Sequence, residues 1–126
     1  MEKINRIAQK SELVNAEMAD LRVNYNKWRY RQKKEKAPFF IIYTDFLKSN
    51  KLKDINPTAL KVYVYLGLHA KNDTGECWHS VETIAEYFGM DKRTINRALE
   101  NLVELELIER IQKGFKRVAN TFLKPY

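Results

Sequence analysis

The sequence has a single cysteine and no long apolar run. Because Cys77 stands alone, an intramolecular disulfide is excluded, and the composition is typical of a protein from a reducing compartment. The N-terminus, "MEKINRIAQK", is charged from its second residue and lacks the apolar region of a secretory signal. No apolar stretch is long enough to span a bilayer. We therefore expect a soluble, cytoplasmic protein with no membrane partner.

Motifs for catalysis and for metal binding are also missing. The sequence contains no glycine-rich phosphate loop, no Walker lysine and no HExxH zinc motif, and none of its tyrosines stands in a cluster of arginine and histidine. His69, Cys77 and His79 are the only candidate ligands for a soft metal, and one residue between Cys77 and His79 is a poor spacing for a closed zinc site. We expect no enzymatic activity, no cofactor, no bound metal and no small-molecule ligand.

What the chain does have is positive charge and enough apolar residues for one core. Hydrophobic residues make up 44% of the 126 residues, and the net charge is +7. That charge suits a polyanionic partner such as nucleic acid, although solubility alone also explains it. The excess is concentrated in residues 1–38, which carry ten Lys/Arg against five Asp/Glu. We predict an N-terminal helix over residues 1–37 with a basic end, followed by one domain over residues 38–126.

The N-terminal helix has an apolar ladder whose spacing alternates between three and four residues. This is the seam pattern of a coiled coil, and Glu17 and Arg22 then fall where opposite charges on paired helices meet. The predicted dimerisation residues of a homodimer are Ile4, Ile7, Val14, Met18 and Leu21. The alternative is that the same stripe packs on the chain's own domain. Tyr25 and Trp28 are bulky for a tight seam, which favours docking at least at that end.

The end of this helix is strongly basic. Residues 27–36, "KWRYRQKKEK", hold six basic residues and one acid, and the Ala37-Pro38 pair ends the helix because a residue before proline avoids the α conformation. Interleaved aromatic and basic residues are typical of an arm that follows a phosphate backbone. The candidate contacts of this arm are Arg29, Arg31, Lys33 and Lys34. A solvated helix face followed by a linker is the alternative.

The next segments predict a strand and a helix. Residues 39–47, "FFIIYTDFL", are rich in β-branched and aromatic residues and predict a short buried strand or entry segment. Asn56 and Pro57 are a strong helix start, with Asn56 as the capping residue. The predicted inward face of that helix consists of Leu60, Tyr63, Val64 and Gly67. A turn follows, and a short strand is expected over residues 77–79.

Two short amphipathic helices and a hairpin complete the chain. Ser80 is the expected cap of the first helix, Gly89 its C-terminal residue, and Asp91 the cap of the second. The apolar stripes are Val81, Ile84, Ala85 and Phe88 in the first helix, and Ile95, Ala98, Leu99 and Leu102 in the second. "LIERIQ", "KGFKR" and "VANTFLK" then read as strand, turn and strand.

This order of elements predicts a helix-turn-helix followed by a wing. With the apolar stripe of the second helix inward, its outward residues near the N-terminus are Lys92, Arg93, Asn96 and Arg97, which are types that read base edges or grip phosphate. The acids from Glu100 onward come one or more turns later, where a helix entering the groove by its N-terminus has left the phosphates.

The hairpin tip is basic and aromatic. The candidate wing residues are Lys113, Phe115, Lys116 and Arg117, and residues 110–126 contain no acid. Such a tip suits contact with the DNA backbone or entry into a minor groove. The alternative is a solvated hairpin whose Phe115 folds back on the domain.

Residues 56–123 resemble the winged helix-turn-helix domain that is common in plasmid and phage replication initiators and in small regulators of mobile elements. The resemblance rests on "TGECW-S-ETIA", "DKRTINRAL" and "L-E-ELIER". It implies a mainly α fold with a small β-hairpin wing, preceded here by the long helix. It also implies binding of double-stranded DNA by a recognition helix with Lys92, Arg93, Thr94, Asn96 and Arg97.

Replication initiators of this kind usually carry a further C-terminal domain, which we expect to be absent here, unless the chain is a fragment, because the sequence stops at Tyr126 just after the wing. We therefore expect a transcriptional regulator of a plasmid, phage or other mobile element. A DNA-binding protein of replication initiation or plasmid maintenance is the first alternative. The second is a protein-interaction adapter that uses the winged domain and the long helix to bind a partner protein.

Overall fold

A computed structural model describes residues 2–112, 114 and 119–126, with side chains described from residue 9 onward. The chain divides into two compact units, Met1–Pro38 and Phe39–Tyr126. The helices are α1 (Glu2–Lys34), α2 (Asp45–Lys48), α3 (Lys51–Asp54), α4 (Pro57–His69), α5 (Val81–Phe88) and α6 (Lys92–Glu104). The strands are β1 (Glu76–Cys77), β2 (Ile108–Ile111) and β3 (Asn120–Leu123). The predicted fold class, mainly helical with a small sheet after a long helix, is confirmed.

The N-terminal unit is a single helix, α1, of 33 residues with no proline or glycine inside it. Three residues of the apolar ladder, Val14, Met18 and Leu21, are 46%, 43% and 67% exposed. Ile4 and Ile7 belong to α1, but their side chains lie outside the described part of the chain. Tyr25 and Trp28 are also exposed, and their ring centroids are 5.7 Å apart. Val14, Met18 and Leu21 are therefore not buried by α1 itself.

The second unit has one apolar core between three helices and a sheet. α6 packs against both α4 and α5, and β2 packs against α6. The least exposed side chains of this core include Ala59, Val62, Leu66, Ile84, Ile95, Leu102 and Leu107. Removing these side chains from water is the main favourable contribution to folding. The core therefore fixes how α6 is oriented on the domain.

The start of α4 is the predicted one, but its inward face differs from the prediction. Asn56 Oδ1 accepts a hydrogen bond of 2.7 Å from the backbone N–H of Ala59, as a capping residue does. The buried residues of α4 are Ala59, Val62, Tyr63, Tyr65, Leu66 and Gly67. Tyr63 and Gly67 of the predicted face are buried as expected, whereas Leu60 and Val64 are only half-buried. The helix has neighbours on several sides, which the periodicity of α4 alone does not specify.

Of the two alternatives predicted for residues 39–47, a short buried strand or an entry segment, the strand does not form. Residues 39–43 have no regular secondary structure, and α2 begins at Asp45. Two side chains hold the segment, since the ring of Phe40 meets Tyr63 edge-on at 5.5 Å and that of Phe46 stacks on Tyr63 at 5.6 Å. These two anchors are six residues apart, whereas Phe39 and Ile41 are exposed. Aromatic residues of this segment therefore anchor it to Tyr63 of α4, and the segment does not pair as a strand.

Gly67 gives Phe40 the room to reach α4. A Cβ atom built on Gly67 would overlap the Phe40 ring. We predict that Gly67→Ala lowers the free energy of unfolding by about 1–2 kcal/mol, because displacing the ring outweighs the better helix propensity of alanine. Urea denaturation measures the change. In a Phe40→Ala background the same substitution should be neutral or stabilising, and equal destabilisation in both backgrounds would contradict the proposed clash.

The sheet is antiparallel, with β3 between β1 and β2. Cys77 pairs with Thr121, and Arg110 pairs with the same residue from the other side. The predicted hairpin strands are confirmed. The predicted short strand lies one residue earlier, at Glu76–Cys77. The proposed tip residues Lys113, Phe115, Lys116 and Arg117 lie outside the described residues.

Candidate nucleic-acid interface

The corner between α5 and α6 consists of residues 89–91, and its geometry is fixed by local hydrogen bonds. Gly89 has φ +63°, the left-handed conformation that ends α5 at little cost for glycine. The N–H of Met90 donates to the carbonyl of Ala85 at 3.0 Å. Asp91 Oδ1 then accepts a hydrogen bond of 2.8 Å from the N–H of Thr94 and caps α6. The predicted stop and start signals are confirmed.

Helix α6 is divided into a buried stripe and an exposed polar face. Ile95, Ala98, Leu99 and Leu102 are each at most 2% exposed. The opposite face holds four exposed residues in its first two turns: Lys92, Arg93, Asn96 and Arg97. Thr94, the remaining candidate of this helix, is half-buried beside the capping Asp91. The helix therefore brings three cations and an amide together.

Two carboxylates lie next to this basic face. Lys92 Nζ is 3.3 Å from Oε1 of Glu82 on α5, with both side chains exposed. The pKa of Glu82 is lowered by a hydrogen bond from its own backbone N–H and by Lys92. The pKa of Asp91 is lowered chiefly by hydrogen bonds from the Thr94 hydroxyl and N–H, and further by the charges of Arg93 and Arg97. Both carboxylates are therefore ionised at neutral pH.

The second half of α6 is held by polar contacts as well as by the core. The backbone N–H of Asn56, at the start of α4, donates to Asn101 Oδ1 at 3.2 Å. The ammonium of Lys51 on α3 donates to the carbonyl of Leu105, which follows the last turn of α6. A cation at this end is favourable because helix carbonyls there lack partners within the helix. Sequence reasoning missed these contacts because they join residues far apart in the chain.

Comparison with known proteins agrees with this geometry. Residues 53–108 match a family model described as a helix-turn-helix domain. These residues form a helix-turn-helix domain. Together with the three-stranded sheet, the fold is that of a winged helix-turn-helix, as the sequence resemblance implied. Comparison with curated proteins finds no significant match.

Two solved structures have a similar fold. One is described as the structure of a Rep–DNA complex, with a TM-score of 0.52 and 18% identity, and the match covers 75% of this chain and 80% of that chain. The other is the N-terminal domain of a DNA binding protein, with a TM-score of 0.53 and 18% identity over 75% of this chain and 79% of that chain. At this level of identity the likeness concerns the fold.

Beyond the first turns of α6, the surface of the helix-turn-helix domain becomes acidic. Glu100 and Glu104 are exposed and line a shallow depression that Arg110 of β2 also borders. Arg110 itself is half-buried, and its Nε donates to the hydroxyl of Thr121 at 3.3 Å. Burial lowers the pKa of Arg110. Arg110 therefore supports the sheet, and the basic surface of α6 is confined to its N-terminal turns.

The basic arm predicted before the helix-turn-helix domain belongs to the N-terminal unit. Arg29, Arg31, Lys33 and Lys34 lie in the last turns of α1 and are exposed. The guanidinium of Arg29 lies 5.9 Å from the centroid of the Tyr25 ring, a distance at which a cation is attracted to an aromatic face. The arm therefore has a helical backbone and exposed cations.

The three candidate soft-metal ligands are used in packing. Cys77 is buried in the core, and burial raises the pKa of its thiol. His79 Nδ1 is hydrogen-bonded to the Tyr65 hydroxyl at 2.5 Å, and its ring centroid is 4.4 Å from that of His69. Within the described part of the chain, no cluster of three or more His, Cys, Asp or Glu residues suits a metal ion. Nor is any described helix both long and apolar enough to cross a membrane.

Proposed function

We propose that the protein is a sequence-specific double-stranded DNA-binding protein that regulates transcription of a plasmid, phage or other mobile element. The observation that carries the proposal is the division of α6 into a core-bound stripe and an exposed face of Lys92, Arg93, Asn96 and Arg97. A helix-turn-helix presents its second helix to the major groove by its N-terminal residues. The similar fold of a structure described as a Rep–DNA complex supports DNA binding.

Each residue of this face has a defined chemical role in the proposal. Arg93 and Arg97 have the bidentate donors that match guanine O6 and N7, and the Asn96 amide matches adenine. Lys92 and Thr94, at the first turn, suit phosphate contacts, to which the helix dipole adds about half a positive charge. The acids Glu100 and Glu104 follow one turn or more later. We therefore infer that α6 approaches DNA with its N-terminal turns foremost.

The Lys92–Glu82 pair predicts a variant that binds DNA more tightly. In Glu82→Gln, Lys92 loses its carboxylate partner, and a negative charge near the phosphates is removed. Because an exposed ion pair contributes little to stability, the fold should be unaffected. We expect the affinity for DNA to rise about two- to fivefold at low salt in a fluorescence anisotropy titration. Glu86→Gln is the control, an exposed carboxylate on the same helix with no such pair, and an equal gain there would contradict a specific role of Glu82.

The wing and the arm are proposed as phosphate-contacting regions. In the sequence, Lys113, Phe115, Lys116 and Arg117 lie between β2 and β3, and Arg29, Arg31, Lys33 and Lys34 lie in the last turns of α1. Phosphate contacts raise affinity for all sequences and make it depend on salt. Alanine replacements in either group should therefore weaken binding to specific and random DNA alike. Loss confined to one sequence would instead indicate contacts with bases.

We also propose that α1 pairs protomers as a coiled coil, so that two half-sites are bound at a fixed spacing. The exposure of Val14, Met18 and Leu21 supports this. Leu21→Glu, which places charges in the seam, should reduce the molar mass in light scattering from dimer to monomer. Val23→Glu is the matched control, because Val23 is 50% exposed and lies outside the seam. A monomeric full-length protein, or a dimer that survives removal of residues 1–28, would refute the coiled coil.

A role in replication initiation or plasmid maintenance is the second candidate, and the similarity to the Rep–DNA complex is the observation that favours it. Selection of bound fragments from the DNA of the element and its host distinguishes the two roles. Operators at promoters support transcriptional regulation, whereas repeated sites at an origin support replication. Recovery of no enriched fragment would contradict both.

A further inference from the structure

The helix-turn-helix domain has a second exposed surface, which is apolar. It is a groove of about 340 Å³ between α4 and α5. Leu60, Val64 and Leu68 form its α4 side, and Tyr87 and Phe88 form its α5 side. Leu68 is 60% and Tyr87 69% exposed. Contiguous exposed apolar surface of this kind is typical of an interaction site.

The spacing of the groove residues fits a helical partner. Leu60, Val64 and Leu68 follow one another every four residues, so they form a ridge along α4. The aromatic rings of Tyr87 and Phe88 stand on the opposite side. An amphipathic helix places its own apolar stripe into such a groove, with anchors three or four residues apart. The groove is therefore shaped for a helix.

The charge of the groove indicates the chemistry of that helix. Among the described lining residues none is acidic, and Lys61 is an exposed cation on the α4 side. A symmetric contact between two copies would place the Lys61 of both copies in one interface, where the two cations repel each other and no described lining residue supplies a carboxylate. An acidic partner has no such repulsion.

We propose that this groove binds an amphipathic helix of another protein, with an apolar stripe against Leu60, Val64 and Leu68 and a carboxylate paired with Lys61. No lining residue belongs to α6, so the groove and the basic face of α6 are separate surfaces. A protein bound in the groove therefore leaves Arg93 and Arg97 free. The inference concerns a different ligand from DNA and does not depend on the DNA target.

The test uses two synthetic helices and the full-length protein at moderate salt. One fluorescein-labelled peptide carries leucines at positions i, i+4 and i+7 flanked by glutamates, and the other has lysines in place of the glutamates. We expect the acidic peptide to bind about tenfold more tightly. Lys61→Glu should remove this preference, and Leu68→Ser should weaken the acidic peptide about tenfold. Tyr87→Ser, also at an exposed position, should weaken binding of the acidic peptide by a similar factor. Agreement between the two variants would show that the loss does not come from misfolding of one of them.

Two matched controls separate the groove from general charge and surface effects. Lys53→Glu makes the same charge change at an exposed position on α3, and Leu52→Ser removes an exposed leucine from the same helix. Neither should alter peptide binding by more than about twofold. Equal affinity for both peptides, or equal loss in Lys53→Glu and Lys61→Glu, would overturn the proposal.

The location of binding is read from amide chemical shifts. Peptide addition should perturb Leu60, Val64 and Leu68 while leaving Arg93 and Arg97 unchanged. Shifts of the groove residues with protein concentration alone would identify a second copy as the occupant and overturn the proposal. Peptide binding that appears only in the Leu21→Glu variant would show that α1 occupies the groove, and this result would also overturn the proposal.

Discussion

Replacing Arg93 or Arg97 by alanine should weaken binding to a specific DNA site by about 1–3 kcal/mol each, which is the cost of losing a bidentate contact with a base. Both side chains are exposed on the face of α6 opposite its buried stripe, so the substitutions leave the core intact. Binding to the selected fragment and to random DNA is measured by fluorescence anisotropy at the same salt concentration. The loss should be larger for the selected fragment.

Lys53→Ala is the control for these arginine variants, because it removes an exposed positive charge on α3. It should change both affinities by less than about twofold, since an isolated charge away from the interface has a screened effect. If Arg93→Ala and Arg97→Ala weaken specific and random DNA equally, the arginines contact phosphates. In that case base recognition would have to come from Asn96 or from the wing.

Leu102→Ala should have the largest effect on stability, lowering the free energy of unfolding by about 2–5 kcal/mol. Leu102 is fully buried, at 0% exposure. Truncation to alanine buries less apolar surface on folding and leaves a cavity in the core. Urea denaturation followed by circular dichroism measures the change. Affinity for DNA should persist at temperatures where the variant is folded, because Leu102 holds α6 on the core and lies on its inward side.

The neighbouring Val103→Ala is the matched control, because Val103 is 45% exposed on the same helix. Its effect on unfolding should stay within about 0.5 kcal/mol, as for most surface substitutions. Comparable losses of stability in the two variants would mean that α6 packs on the domain through a different face.

The parts of the fold that sequence predicted correctly are those determined by local chemistry. A capping side chain and the helix it starts are within three residues of each other, as with Asn56, Ser80 and Asp91. The stripe of α6 was predictable because its residues recur at helical spacing. The exposed position of Arg93 and Arg97 then followed, because residues on the side of a helix opposite its buried stripe face solvent.

The parts that sequence did not predict depend on distant neighbours. The sequence left two alternatives open for residues 39–47, and the strand does not form because Phe40 packs against Gly67 and Tyr63, more than twenty residues away. α2 and α3 have four residues each, which is too short for a periodic signal. The Lys92–Glu82 contact was missed for a similar reason, since it joins two helices across a turn.

The Lys92–Glu82 contact also bears on how the protein would respond to ionic strength. DNA binding normally gains free energy from the cations that leave the phosphates when lysines replace them. In the proposed complex a phosphate would take the place of Glu82 beside Lys92, and cations from solution would then partly neutralise the Glu82 carboxylate, which offsets part of that release. The Lys92–Glu82 pair would therefore reduce the net number of cations released when DNA binds. Binding through this lysine should vary less with salt than binding through a lysine that has no carboxylate beside it.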